Sequence, residues 1–253
     1  MKNTLIITVA GTSSRFTQSL QKETLKCIYS ESPYNKTILE VLLGYADKMF
    51  DKIIIVGGYK FDDLTQYVTD YFDTRNISLT YNDHFADYGS NYSLYLGIAE
   101  ALKDDDCSIT FVEGDLIFDR QSFETICANK YCVVTSNSEP IRADKSVVFY
   151  QTKHSVIKYI YDTKHKELFI PEPFIFVANS GQIWKFTQPE ILRFIVQSQN
   201  IDDYKDTNLN IIQKYFERLN SGKFDIINIR QWYNCNTVED YRTAFQNINR
   251  STI

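Results

Sequence analysis

Leu5-Ile6-Ile7-Thr8-Val9-Ala10 is a short, mostly apolar and β-branched run that stops at Gly11-Thr12-Ser13-Ser14-Arg15-Phe16. Six residues are too few for a helix and suit a buried strand, and the glycine and hydroxyls that follow read as a strand-to-helix turn. The same alternation continues outward. Ile38, Val41, Leu42, Tyr45, Ala46 and Met49 recur at helical spacing behind Thr37, a residue type suited to capping. Ile53-Ile54-Ile55-Val56 is a second strand closed by Gly57-Gly58, and Leu64, Val68 and Tyr71 mark a second helix. A third strand at 77–81, a third helix on Leu94, Ile98, Ala101 and Leu102, and a fourth strand on Ile109-Thr110-Phe111-Val112 complete the series. Unbroken apolar strands alternating with amphipathic helices predict an α/β fold whose largely parallel sheet is covered on both faces.

The second half is patterned differently. Residues 147–150 and 156–161 read as neighbouring strands, and 174–177 as another. Helical spacing returns around Ile191, Leu192 and Ile195 and over 209–219, followed by a strand at 224–229 and a closing helix at 238–248. With 253 residues, no Pro/Gly/Ser-rich linker and no repeat, one domain with a β-rich insert near 137–175 is expected rather than two domains.

Charge and composition exclude several function classes. There are 27 Lys+Arg against 32 Asp+Glu, a net charge of −5, which argues against broad nucleic-acid binding because that needs a basic footprint. No stretch approaches the roughly 20 apolar residues of a membrane span, and the N-terminal apolar run is too short for a signal peptide. The five cysteines form no CxxC pair, and the three histidines (His84, His154, His165) are scattered, so a zinc site is not expected. A reduced, cytoplasmic protein is the expectation, with any phosphorylated ligand met by a few local cations.

In an open α/β sheet, ligands bind beyond the carboxyl ends of the strands. After the first strand, Ala10-Gly11 and the following hydroxyls can form an anion-binding nest, to which Arg15 adds a planar charge. The plain structural reading is an ordinary turn. After the fourth strand, Asp115 in Glu113-Gly114-Asp115 is placed to hold Mg²⁺ together with substrate phosphates, or only to bond its own turn. After the third, Asn82-Asp83-His84 and Gly89-Ser90-Asn91-Tyr92-Ser93 offer amides and hydroxyls to a base edge, although capping explains Ser90 equally well. Near the C-terminus, Asn236 or Thr237 caps the last helix. Capping leaves Asn234 unexplained, and Asn234 is expected at the ligand edge. Asp104-Asp105-Asp106, Lys205, Asp206 and Asn210 read as solvated.

Val9 to Phe16, Asn91-Tyr92-Ser93-Leu94-Tyr95-Leu96, Gly114-Asp115 and Trp232…Asn234-Cys235-Asn236-Thr237…Glu239-Asp240-Tyr241, in this order, resemble the sugar-phosphate and choline-phosphate nucleotidyltransferases, the second of these motifs especially their cytidylyltransferase branch. The resemblance covers about the first half and a C-terminal stretch, and leaves 120–230 without a recognisable motif. It implies a Rossmann-like nucleotide-diphospho-sugar transferase (GT-A-like) fold, with residues 1–120 as the nucleotide-binding half and 121–253 as the acceptor-binding half. It also implies Mg²⁺-dependent transfer of CMP from CTP to a small phosphorylated acceptor, with release of pyrophosphate. Within the branch the similarity is to enzymes of capsular polysaccharide (O-methyl phosphoramidate) modification, whose acceptor is L-glutamine phosphate. Phosphocholine, sugar 1-phosphates and a non-catalytic nucleotide-binding relative are the alternatives.

By position, the resemblance implies that Ala10, Gly11 and Arg15 embrace the triphosphate, that Asp115 and Asn234 hold Mg²⁺, and that Asn91 and Ser93 recognise the pyrimidine. Three departures stand out. Ser13 replaces the second glycine of the family loop. Glu23 stands near the family lysine position, so Lys26, in the strand-like run with Leu25 and Cys27, is taken as the active-site lysine over Lys22. Asn234, a neutral and weaker Mg²⁺ ligand, stands where many relatives have Asp. Arg142 and Lys145 are candidates to meet an anionic acceptor.

Overall fold

Alternate residues of each central strand enter two different cores, which is the physical signature of a sheet buried on both faces. In β1 (Lys2–Thr8), Leu5 and Ile7 pack on one side and Ile6 on the other; in β2 (Lys52–Gly57), Ile53 and Ile55 oppose Ile54 and Val56. Each such side chain contributes about 1.5–3 kcal/mol by leaving water. The computed structural model describes residues 2–32, 35–104, 107–143, 147–160, 167–219 and 223–250. Lys145, Tyr161, His165, Asp105 and Asp106 lie outside them.

In chain order the elements are β1, α1 (Ser14–Leu20), α2 (Ile38–Ala46), β2, α3 (Phe61–Tyr71), β3 (Ile77–Tyr81), α4 (Ser90–Ala101), β4 (Cys107–Glu113), β5 (Leu116–Phe118) and α5 (Arg120–Ala128). They continue with β6 (Cys132–Asn137), β7 (Val148–Thr152), β8 (Ile157–Ile160), β9 (Phe174–Phe186), α6 (Pro189–Gln197), α7 (Ile201–Tyr204), α8 (Leu209–Arg218), β10 (Phe224–Ile229), β11 (Trp232–Asn234) and α9 (Val238–Arg250). Among the described residues nine strands form one sheet, with central order β10-β6-β9-β4-β1-β2-β3 and β7 and β8 attached through β9. The β4-β1-β2-β3 half is parallel throughout and β6 pairs β10 in parallel, whereas β9 runs against β4, β6 and β7. This is the expected mixed α/β architecture with its β-rich insert. One core packs α2, α3, α5 and α9 against the sheet and the other packs α4, α6 and α8. No helix among the described residues is long and apolar enough to cross a membrane.

Thr37 caps α2 as expected and forms a full capping box with Glu40. Thr237 does the same for α9 through Asp240. Ser90 does not cap: Gly89 precedes α4, and Ser90 Oγ instead accepts from the backbone N–H of Asn208 at 2.9 Å. The strand read at 174–177 runs on to Phe186. Its apolar pattern is interrupted by Asn179-Ser180-Gly181-Gln182, which stay in the strand because buried bonds satisfy them. Asn137 Nδ2 donates to Ser180 O, and Thr135 Oγ1 bridges both backbone groups of Ile183 where the register shifts.

The start of α4 is clasped by the 199–208 segment. Gly89 N donates to Tyr204 O at 2.9 Å and Asn91 N to Asp206 O at 3.1 Å. A Cβ on Gly89 would lie 1.9 Å from Asp206 O, so only glycine permits this approach. Gly89→Ala is expected to force the segment away and to destabilise the fold by about 1–3 kcal/mol, read as a lower melting temperature. An unchanged melting temperature would contradict the clasp.

Candidate active site

The carboxyl ends of β1, β3 and β4 converge on an open cleft of about 270 Å³. Its walls come from the β1–α1 loop (Ala10, Gly11, Ser13), a single 3₁₀ turn at Lys26–Ile28, the β3–α4 segment (Asn82, Phe85, Tyr88, Gly89, Ser90, Ser93), the β4 end (Glu113, Gly114, Asp115) and Asn208. Backbone bonds draw these ends together: Val9 N donates to Val56 O, Tyr59 N to Ala10 O and Gly114 N to Thr8 O. A Cβ on Gly114 would lie 2.3 Å from Val9 Cγ1, so the close pairing of the β1 and β4 ends requires glycine there.

Lys26 Nζ donates to Asp115 Oδ2 at 2.9 Å, with the two side chains only 15% and 22% exposed. Asp115 therefore faces the lysine rather than bonding its own turn. Lys22 and Glu23 are exposed and outside the cleft. Ser13 sits at φ 54°, ψ 31°, the left-handed conformation that glycine adopts without cost, and its Oγ accepts from Lys26 N at 3.4 Å. Ser13 thus holds a backbone conformation that glycine takes more readily.

Asn234 does not line the cleft, but a pairing that is invisible in the sequence sets its backbone next to that of Asp115. β11 pairs antiparallel with β5, Asn234 opposite Leu116, and Cys235 N donates to Asp115 O at 2.8 Å, so the backbone of Asn234 runs beside that of Asp115. Its Nδ2 donates to Gln182 Oε1. Asn234 Oδ1 and Asp115 Oδ1 are both buried without a hydrogen-bond partner. Two orphaned oxygens on adjoining residues fit a hard cation such as Mg²⁺, which takes oxygen ligands and keeps sites for phosphate and water. Among the described residues no group of three His, Cys, Asp or Glu forms a metal site unaided, so substrate oxygens would have to complete the coordination.

The remaining expected residues divide. Ser93 lines the cleft and its Oγ accepts from Asn82 Nδ2 at 2.9 Å, while the Asn82 Oδ1 accepts from His84 N. Asn91 is buried but is not brought into the cleft: its Nδ2 donates to Gln199 Oε1 and Asp203 O, behind the α4 start. Arg15 is exposed and does not line the cleft; it donates to Asn236 Oδ1 at 2.8 Å. Arg142 is exposed and does not line the cleft. Lys205 and Asp206 are solvated as expected, although the Asp206 carbonyl serves the clasp; Asn210 bonds Asp203 and Asp206.

Sequence reasoning missed Glu113 and Asn208. Asn208 Nδ2 donates to Glu113 Oε1 at 2.7 Å, and both line the cleft. Burial, then the charge of Asp115, push the Glu113 carboxyl up to about 7, against the pull of Asn208 and Lys26. Proximity to Asp115 was the available signal for Glu113; Asn208 gave none. Burial pushes the Cys27 thiol up to about 12 and raises Cys235 too, which favours the protonated form of these buried free thiols.

The sequence profile of the family described as Domain of unknown function (DUF6564) matches residues 22–248. The chain belongs to that family. No curated protein matches it by sequence. Among solved structures, it is similar to a Bacillus anthracis protein assigned as a glucose-1-phosphate thymidylyltransferase in complex with a sucrose (TM-score 0.71, 17% identity, 97% of this chain and 95% of that one). It is also similar to CTP:phosphocholine cytidylyltransferase from Streptococcus pneumoniae (TM-score 0.66, 17% identity, 98% and 100%). A third is the inositol-1-phosphate CTP transferase from T. maritima (TM-score 0.68, 12% identity, 98% and 96%). At these identities the likeness establishes a shared fold over nearly the whole chain.

Ser13→Gly should keep the loop and remove the left-handed strain. A rise in stability of about 1 kcal/mol, measured by denaturant melting, is expected. A loss of stability would show that the serine side chain, rather than its backbone, holds the loop.

Proposed function

We propose that the chain is a Mg²⁺-dependent cytidylyltransferase that transfers CMP from CTP to a small phosphorylated acceptor and releases pyrophosphate. The observation that carries this reading is the Lys26–Asp115 pair beside the two unpartnered oxygens of Asp115 and Asn234, at the carboxyl edge of the sheet. The fold it shares with nucleotidyltransferases supports the same reading. L-Glutamine phosphate, giving CDP-L-glutamine for capsular polysaccharide modification, is the acceptor we favour; phosphocholine and sugar 1-phosphates are the competing acceptors.

The reaction needs no protein nucleophile. A phosphate oxygen of the acceptor forms a bond to the α-phosphorus of CTP, the bond to the β-phosphate bridging oxygen breaks, and the pyrophosphate leaves with that electron pair. What the protein supplies is positioning and charge neutralisation. Ala10, Gly11 and Ser13 present backbone to the triphosphate. Lys26 carries three N–H donors, one of which Asp115 holds, so two remain for phosphate oxygens. Arg15, which would have to turn from Asn236, adds a second cation. A bound Mg²⁺, held by Asp115 and Asn234, would offset negative charge on the phosphates. Ser93 with its partner Asn82 reads the base edge, and Asn91 supports the α4 start from behind. In this reading residues 1–120 hold the nucleotide and 121–253 the acceptor, with Asn208 and Asn234 reaching across.

The test crosses four nucleoside triphosphates with L-glutamine phosphate, phosphocholine and sugar 1-phosphates and follows pyrophosphate release. Release with CTP and one phosphorylated acceptor is expected, and Asp115→Ala should lower the rate by about 10²–10³-fold. A near-normal Asp115→Ala protein would overturn the assignment. Tight CTP binding with no turnover of any acceptor would favour the non-catalytic relative.

A further inference from the structure

The cleft has two chemically distinct ends. At one, the Phe85 and Tyr88 rings lie with the Asn82–Ser93 amide–hydroxyl pair, a surface suited to a flat heterocycle and its polar edge. At the other, Gly11, Ser13, Lys26 and Asp115 form the anion and cation-binding end. The sugar of a nucleoside triphosphate must lie between its base and its phosphates.

A continuous wall joins the two ends. Ser90 Oγ, on the β3–α4 side, accepts from Asn208 N at 2.9 Å; Asn208 Nδ2 donates to Glu113 Oε1 at 2.7 Å; and Glu113 stands two residues before Asp115, which pairs with Lys26. Glu113 is the middle of that wall. A carboxyl group there is electrostatically unwelcome to a polyanion, and it also sits close to Asp115. Its presence calls for a ligand group that bonds a carboxyl well. Within a nucleotide, the neighbouring ribose hydroxyls are that group, since a carboxylate accepts from them and a carboxylic acid donates to them. Asn208, itself buried, occupies one acceptor position and fixes the plane of the carboxyl group.

We propose that Glu113, oriented by Asn208, binds the ribose hydroxyls of the nucleoside triphosphate and selects ribonucleotides over their deoxy analogues. This rests on the nucleotide-binding reading above and assigns its sugar subsite. A site built to bond a hydroxyl leaves its own polar group unpaired when the hydroxyl is missing, which is why such sites discriminate strongly.

The experiment is calorimetric titration of the full chain with CTP, 2′-deoxy-CTP and 2′,3′-dideoxy-CTP in the presence of Mg²⁺. The wild type should bind CTP roughly 10- to 100-fold more tightly than the dideoxy analogue. Glu113→Ala should bind all three within about 3-fold, with its affinity for the dideoxy analogue close to that of the wild type. Glu113→Gln keeps the shape of the wall and an oxygen acceptor, so it guards against misfolding of the alanine variant and should discriminate to an intermediate degree. Asn208→Ala should also weaken discrimination, through loss of orientation. Equal binding of all three by the wild type would overturn the proposal and leave nucleotide binding standing. A uniform loss of all three in Glu113→Ala and Glu113→Gln would also overturn it, in favour of a metal or phosphate role. No binding of any nucleotide would overturn the cytidylyltransferase reading and the ribose assignment with it.

Discussion

The ion pair between Lys26 and Asp115 holds the site together, because it ties three segments that are remote in sequence. Lys26 begins the 3₁₀ turn after α1 and its backbone N–H reaches Ser13 Oγ. Asp115 ends the β4 turn, and its carbonyl accepts from Cys235 at the start of the C-terminal stretch. Removing either charge would leave the other partly buried and uncompensated, which costs far more than the net contribution of the intact pair. The pair also leaves its members incompletely satisfied. Lysine retains donors and the second aspartate oxygen has no partner, which is the condition of a site arranged around something it does not itself contain.

The fold explains why this pair sits where it does. Parallel strands buried on both faces put all their loops of one kind at one edge, and the segments after β1, β3 and β4 line one cleft there. The small β5–β11 ladder then brings the C-terminal Asn234 beside Asp115, and the 199–208 segment closes the α4 side through Gly89, Asn91 and Ser90. The second half of the chain thus supplies Asn208 to a cleft whose other lining residues belong to the first half, and runs Asn234 alongside Asp115.

Much of this was legible in the sequence for definite reasons. β1, β2 and β4 announce themselves because burial on both faces demands largely apolar runs, and Thr37 announces α2 because its hydroxyl and Glu40 satisfy the helix start. Asp115 is legible because strand ends collect ligands; Lys26 is legible only through the resemblance, and the strand-like run expected around it is a 3₁₀ turn that buries Leu25 and Cys27. β9 was read too short, since buried hydrogen bonds, not hydrophobicity, keep Asn179 to Gln182 in the strand. α5 and the β5–β11 ladder carry too few periodic residues to stand out. The Glu113–Asn208 bond spans 95 residues, and no local pattern encodes it. Asn91 lies on the helix its spacing predicts, but the contacts to Gln199 and Asp203 that take up its amide are equally non-local.

The most direct test of the central claim is a crystal structure with CTP and Mn²⁺ in place of Mg²⁺, read by anomalous scattering. The account predicts a metal peak in contact with Asp115 Oδ1 and Asn234 Oδ1, the triphosphate against Lys26 and the β1–α1 loop, and the base against Tyr88 and Ser93. A metal peak remote from Asp115, or CTP bound outside the cleft with the Lys26–Asp115 pair undisturbed, would contradict it.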